Sequence, residues 1–367
     1  MRTALRVLAF VALVALFVGA LELLGAGASR LGGGAAAGLV RAADNPFLAL
    51  FLGVLATSLV QSSSSVTSLV VALVASGTLT VDGAIPIVMG ANIGTTVTST
   101  LVAFGHITQP EEFRRAVAGA SVHDLFNVVT VAILLPLQLA FGVLSRPAAW
   151  LQASLGGIDG LPLPSRTLLA PLAESAAALT GGNGLVLLLV GTAALLVAIR
   201  LLVSLLRRVV LGPSERALDR AVFGHPGRSM AFGLVLTFVV QSSSVTTSLV
   251  VPLLGAGLLT ARQVLPYTMG ANVGTTLTAL LAALVFAGAA VGPEQAAYAA
   301  AGLTVALAHG LFNVLGVAML YPVRAVREAL VHAAEALGRL AYRNRAYALV
   351  YVAVTFYLLP LALEWLF

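Results

Sequence analysis

The sequence predicts an all-α polytopic membrane protein built from two inverted-topology repeats, each with a re-entrant helical hairpin and a broken helix. Three observations predict it. Hydrophobic residues make up 59% of the 367-residue chain and charged residues only 9%, against roughly 25% charged in a soluble domain. Residues 57–100 recur at 237–280 without a gap, and 24 of these 44 positions are identical. Both copies carry Gln-Ser-Ser-Ser in the middle of an apolar run, at Gln61–Ser64 and Gln241–Ser244. A mean hydropathy of +1.03 cannot be hidden in a soluble core. With about 20 residues needed per crossing, little chain is left for a soluble domain. A soluble enzyme, a disordered regulator and a nucleic-acid binder are excluded.

The elements follow from span lengths and arginine placement. The net charge is +6, and all 20 basic residues are arginine; in a membrane protein these gather on the cytoplasmic side. Arg2 and Arg6 precede an apolar run, Val7 to Leu24, that reads as a first helix with a cytoplasmic N-terminus. The small residues at 25–29 also suit a signal-peptide cleavage site. Residues 46–78 are apolar but interrupted at Gln61–Ser65. Each half is too short to cross alone, so the segment predicts a re-entrant hairpin from the outer side. A broken helix over 84–106 and a helix over 116–144 complete the first repeat, 1–145. An extracellular loop, 146–184, precedes the second repeat, 185–322. That repeat is expected to hold a helix over 185–206, a hairpin over 229–259 entering from the cytoplasm, a broken helix over 262–290 and a helix over 296–322. A basic cytoplasmic linker and a C-terminal transmembrane helix fill 323–367. Every arginine-rich loop then falls on one face, as expected for a multi-pass protein of the plasma (inner) membrane. Inverted repeats with broken helices are a signature of secondary transporters, whose sites lie near the midplane.

Three constellations carry chemistry. The first is the pair of tips, Gln61-Ser62-Ser63-Ser64 and Gln241-Ser242-Ser243-Ser244. Unpaired backbone groups at a re-entrant tip must line a cavity or meet protein. Half-helix N–H groups favour an anion and unwound carbonyls favour Na⁺; the alternative is that the serines cap or pack helices. The second is Gly90-Ala91-Asn92-Ile93-Gly94-Thr95-Thr96 with Thr98, repeated at Gly270 to Thr276 with Thr278. Two glycines around Asn92 or Asn272 read as a helix break that frees oxygen ligands for Na⁺. A second reading of the same glycines is a close helix crossing with threonine glue. The third is Asp124 with Asn127 one turn later; a carboxylate within a span suggests function by default. Its repeat counterpart is Gly310. His123 and His309 read as packed, hydrogen-bonded side chains. The chain has no cysteine, so thiolate sites and cysteine nucleophiles are excluded.

The paired Gln-Ser-Ser-Ser tips, the two Gly-Ala-Asn-x-Gly-Thr-Thr segments, Glu-Phe-Arg-Arg-Ala at 112–116 and Val-His-Asp-Leu-Phe-Asn at 122–127 resemble the type II sodium–phosphate cotransporter family. The resemblance covers roughly 45–140 and 225–360, and suggests a compact prokaryotic-like member. It implies symport of inorganic phosphate with Na⁺ by an elevator-like movement, with Na⁺ as coupling ion, no other cofactor and no enzymatic activity. It implies phosphate binding by Ser62, Ser63, Ser64, Ser242, Ser243 and Ser244, and Asn92 and Asn272 are expected to join them. It implies a sodium site at Gln241, Ser242, Thr275 and Thr278. Gln61, Thr95, Thr98, Asp124 and Asn127 complete the expected sodium-binding set, and Asp124 is of the electrogenic type. Many animal members of the family have Asp-Arg where this chain has Gln109-Pro110, and serine where it has Ala271, positions linked in the family to a further cation site. Two or three Na⁺ per phosphate are expected. The lipid bilayer is an expected partner, and a homodimer through the scaffold an expectation by analogy. Rivals are transport of another oxyanion (sulfate, arsenate or a carboxylate), a channel, which needs a continuous polar stripe, and an intramembrane hydrolase, which needs a nucleophile with its base. Arg114 and Arg115 are secondary candidates for the anion.

Overall fold

The computed structural model describes residues 2–28, 30, 40–156, 175, 178–210 and 222–366, and every regular element among them is helical. Helix α1 (Arg2–Ala28) precedes a first hairpin, α2 (Pro46–Val60) and α3 (Ser63–Ala75). Then come α4 (Val81–Gly94), α5 (Val97–Ala103), α6 (Pro110–Phe141), α7 (Ser145–Gly156) and α8 (Gly184–Val210). A second hairpin is formed by α9 (Pro226–Val240), α10 (Ser243–Ser248) and α11 (Val251–Gly255). The chain closes with α12 (Ala261–Ala289), α13 (Pro293–Leu320), α14 (Arg324–Arg343), α15 (Ala346–Ala353) and, after a π turn, α16 (Leu359–Leu366). Among the described residues six helices are long and apolar enough to cross a bilayer, which fits a polytopic membrane protein.

The two hairpins are built by the same local rules. Each opens on a proline at the first helical turn, where a missing N–H costs nothing. Asn45 caps the first, its Oδ1 accepting from Phe47 and Leu48 N–H, and His225 caps the second. Each ends on a glutamine in the left-handed conformation, Gln61 at φ 55° and Gln241 at φ 56°. They are the two described non-glycine residues with positive φ. Outside glycine this conformation costs roughly 1–2 kcal/mol, so the same cost recurs at the same repeat position. The next residue, Ser62 or Ser242, is extended and caps the returning helix, accepting from Ser65 N–H or Val245 N–H.

Glycines then hold each hairpin against the following long helix. A Cβ on Gly53 would lie 2.0 Å from Ile87 O, and one on Gly90 1.9 Å from Leu50 O. In the second copy the values are 2.1 Å for Gly233 to Tyr267 O and 1.9 Å for Gly270 to Met230 O. Backbone therefore touches backbone at two notched crossings, as in small-residue membrane packing. Gly77, at the base of the first hairpin, faces the ring of Tyr298 at the start of α13. Gly255 and Gly257, at the base of the second, face His106 and Arg115, beyond the far end of α4 and α5.

Several expected elements are corrected. The first long helix is interrupted at Thr95–Thr96, but α12 runs unbroken through Gly270 to Thr276. Gly270 and Gly274 serve the crossing with α9 instead, a Cβ on Gly274 lying 2.6 Å from Leu234 O. The helix expected over 116–144 is α6, so Glu111, Glu112, Arg114 and Arg115 belong to its first turns. Those expected over 185–206 and 296–322 are α8 and α13. The expected loop 146–184 begins with helix α7; residues 157–174 and 176–177 lie outside the described residues. The expected basic linker after 323 is the amphipathic α14, which buries Leu330, Val331, Ala334, Gly338 and Ala341. It lies along α6, where a Cβ on Gly338 would meet Arg114 O at 2.5 Å.

Candidate substrate and ion site

The two hairpin tips meet. Ser64 Oγ donates to the main-chain oxygen of Gln241 at 3.3 Å, across 177 residues of sequence. The left-handed glutamine turns that carbonyl away from its own helix. A second bridge joins Ser99 of α5 to Thr247 of α10, hydroxyl to hydroxyl at 2.9 Å. The six tip serines Ser62, Ser63, Ser64, Ser242, Ser243 and Ser244 are all buried. Ser62 Oγ also contacts Ser65 Oγ at 2.9 Å. Each tip also presents the amino end of its returning helix, whose first amides have no intrahelical partner. Hydroxyl donors and first-turn amides suit a tetrahedral oxyanion without a fixed cation.

The expected sodium residues divide between the repeats. Thr278 Oγ1 donates to Gln241 Oε1 at 2.7 Å, and Gln241 Nε2 donates to Phe238 O at 2.5 Å. Thr275 Oγ1 donates to Ala271 O at 3.0 Å, which leaves its lone pairs unspent. Gln241, Ser242, Thr275 and Thr278 are all buried. Gln241 and Thr278 meet directly at the second tip, with Ser242 next in sequence and Thr275 one turn before Thr278 on α12. Their first-repeat counterparts differ. Gln61 is exposed, and the buried Thr98 Oγ1 has no partner. Thr95 Oγ1 donates back to Ala91 O at 2.9 Å. The glutamine–threonine bond therefore forms in one repeat, not in both.

Asp124 is fully buried on α6 and accepts from Thr96 Oγ1 at 2.9 Å, with Oδ2 unpartnered. Its repeat counterpart Gly310 lies 3.9 Å, at the Cβ position, from Thr276 Oγ1. Thr96, the partner of Asp124, stands inside the duplicated Gly-Thr-Thr but outside the expected sodium-binding set. Ser99 lies outside that set too; its counterpart is Ala279, so the repeat gave no signal for it. Asn92, Asn272 and Asn127 are engaged mainly with one another and with His123 and His309. His123 Nε2 meets Asn272 Oδ1 at 2.7 Å, Asn272 Nδ2 donates to Asn127 Oδ1 at 2.6 Å, and Asn127 Nδ2 donates to Asn92 O at 2.8 Å. The histidines are thus packed and hydrogen-bonded, as the sequence suggests. Arg114 pairs with Glu111, and Arg115 Nε donates to Gly255 O at 3.0 Å. Arg114 is thus held within the first turns of α6, and Arg115 at the end of the second hairpin.

Comparison with known proteins gives one answer. The family model described as Na⁺/Pi-cotransporter matches residues 16–149 and 194–341. The chain is 34% identical to sodium-dependent phosphate transport protein 2A of Ovis aries, over 98% of this chain and 67% of that protein. The Mus musculus 2A protein is likewise 34% identical, over 97% and 67%. Sodium-dependent phosphate transport protein 2B of Homo sapiens is 31% identical, over 87% and 58%. The chain thus spans about two thirds of the 2A proteins' length. No solved structure matches. Two matched segments covering both hairpins, with relatives aligned over nearly the whole chain, identify it as a member of the Na⁺/Pi-cotransporter family.

Proposed function

We propose that this chain is a sodium-coupled symporter of inorganic phosphate in the plasma membrane, with its N-terminus in the cytoplasm. Relatives at 31–34% identity named as sodium-dependent phosphate transport proteins support the substrate and the coupling ion. The observation that carries the reading is the apposition of two buried serine tips, Ser64 against Gln241. Hairpins whose bases lie at opposite ends of α4 and α5 support two inverted repeats, one hairpin opening to each side. Phosphate then sits between Ser62–Ser64 and Ser242–Ser244. Na⁺ takes the oxygens of Gln241, Ser242, Thr275 and Thr278, and Asp124 supplies the fixed charge for a further ion. Asn92, Asn272 and Asn127 act as supports, since their amides are spent on one another, on His123, His309 and Asn313, and on backbone oxygens. Access alternates by an elevator-like shift of the hairpins against the remaining helices, and a homodimer through those helices is part of the proposal.

Release on each side requires moderate binding, which neutral hydroxyl and amide donors favour over a buried lysine or arginine. Each tenfold Na⁺ gradient supplies about 1.4 kcal/mol per ion, and each net charge about 2.3 kcal/mol per 100 mV. The test is uptake of radiolabelled phosphate by proteoliposomes under an inward Na⁺ gradient. Saturable accumulation that vanishes when K⁺ replaces Na⁺ is expected. Uptake indifferent to Na⁺, or outcompeted by sulfate but not by phosphate, would overturn the reading.

A further inference from the structure

The histidines at 123 and 309 have no part in the site as proposed, yet both are buried and each reaches into the other repeat. His123 of α6 meets Asn272 of α12 at 2.7 Å, and His309 of α13 meets Asn92 of α4 at 3.4 Å. Each stands four residues before an asparagine, Asn127 or Asn313, that joins the same contact. One turn apart on a helix, the two side chains of each pair share a face.

The polarity of this chain of bonds is fixed by one backbone carbonyl. Asn92 O can only accept, so the group of Asn127 facing it at 2.8 Å is Nδ2. Asn127 therefore turns Oδ1 to Asn272, which must present its own Nδ2 at 2.6 Å. Asn272 Oδ1 then faces His123, so His123 Nε2 carries the hydrogen. The branch from α13 is set in the same way. Asn92 Nδ2 donates to Val88 O at 2.9 Å, so Asn92 Oδ1 accepts from Asn313 Nδ2 at 3.3 Å and from His309 Nε2. Asn92 is the node: its carbonyl holds α6 and its amide holds α13.

We infer that this brace sets the rotation of the two threonine-bearing segments, with His123 and His309 as positioning residues for Na⁺. The inference rests on the symport reading above. Thr95 and Thr96 follow Asn92, and Thr275 and Thr276 follow Asn272, by three and four residues. On a helix these positions lie on nearly the same face, one turn along. Fixing the asparagine amides therefore fixes the bearing of Thr96, which meets Asp124, and the rotation of the unbroken α12, which carries Thr278 to Gln241 at the second tip. The shorter His123 branch carries more of the effect than the 3.4 Å His309 contact.

The experiment is a double-mutant cycle on Na⁺-dependent phosphate uptake, with His123→Phe, Asn272→Leu and the pair together. Each single variant raises the Na⁺ half-saturation concentration about threefold to sixteenfold, the range of interhelical hydrogen bonds in membranes, while the maximal rate changes less than twofold. The double variant is no worse than the worse single, because both break one chain. His123→Gln, whose amide reaches the Nε2 position, restores wild-type Na⁺ dependence. Should His123→Phe fail to reach the membrane, His123→Asn, whose amide ends short, carries the same expectation. Effects that multiply in the double variant, or a loss of thermal stability with unchanged Na⁺ half-saturation, would reduce the brace to ordinary packing and overturn the inference. Wild-type uptake is read first; if it ignores Na⁺, the symport reading itself falls, and the inference with it.

Discussion

Replacing Thr278 with valine removes one hydroxyl and keeps the shape of the side chain. In the structure that hydroxyl donates to Gln241 Oε1 at 2.7 Å within the buried second tip. Without it the Gln241 amide keeps its bond to Phe238 O but its oxygen faces no donor. Interhelical hydrogen bonds in membranes average about 0.6 kcal/mol and reach about 1.7 kcal/mol. At about 1.4 kcal/mol per tenfold, the Na⁺ half-saturation concentration should rise about threefold to sixteenfold, more if the hydroxyl also ligates the ion. The assay is initial phosphate uptake against Na⁺ concentration in proteoliposomes. Thr98→Val is the internal control, since Thr98 Oγ1 has no partner and Gln61 points into the open. Its half-saturation should stay within twofold of wild type. Equal shifts for the two variants would refute the assignment of the sodium site to one repeat.

Other perturbations follow from the same geometry. Gly90→Ala or Gly270→Ala forces a methyl to within 1.9 Å of a backbone oxygen, an overpacking cost of at least about 1–3 kcal/mol. Either should lower the melting temperature in detergent, whereas Gly310→Ala, with its nearest neighbour at 3.9 Å, should leave it unchanged. Asp124→Asn keeps an acceptor for Thr96 but removes the charge; wild-type uptake should rise under an inside-negative potential and the variant's should not. Equal stimulation of the two would dissociate Asp124 from charge movement.

The tips were legible because the chain spends polar residues where apolar ones are cheaper, and does so twice at one offset. The same duplication could not tell a helix break from a helix crossing, since glycine serves both. At Gly90 and Gly270 the deciding group is a backbone oxygen of another helix, Leu50 O or Met230 O, and nothing in the local pattern names it. The matching Gly53 and Gly233, also 180 residues apart, were the available hint. The arginines of α14 suggest a linker by charge alone. Its buried residues Leu330, Val331, Ala334, Gly338 and Ala341 follow the 3.6-residue period of an amphipathic helix. Asn92 and Asn272 stand out in the sequence, but their partners His123, His309, Asn313 and, for Asn272, Asn127 lie more than 140 residues away. Sequence spacing carries no information about contacts of that kind.

The most direct test of two serine tips closing on one anion is an anomalous difference map from crystals grown with Na⁺ and arsenate, a phosphate isostere. The account predicts an arsenic peak within hydrogen-bonding reach of both Ser62–Ser64 and Ser242–Ser244. A peak elsewhere in the molecule, with arsenate still competing for phosphate uptake, would contradict it.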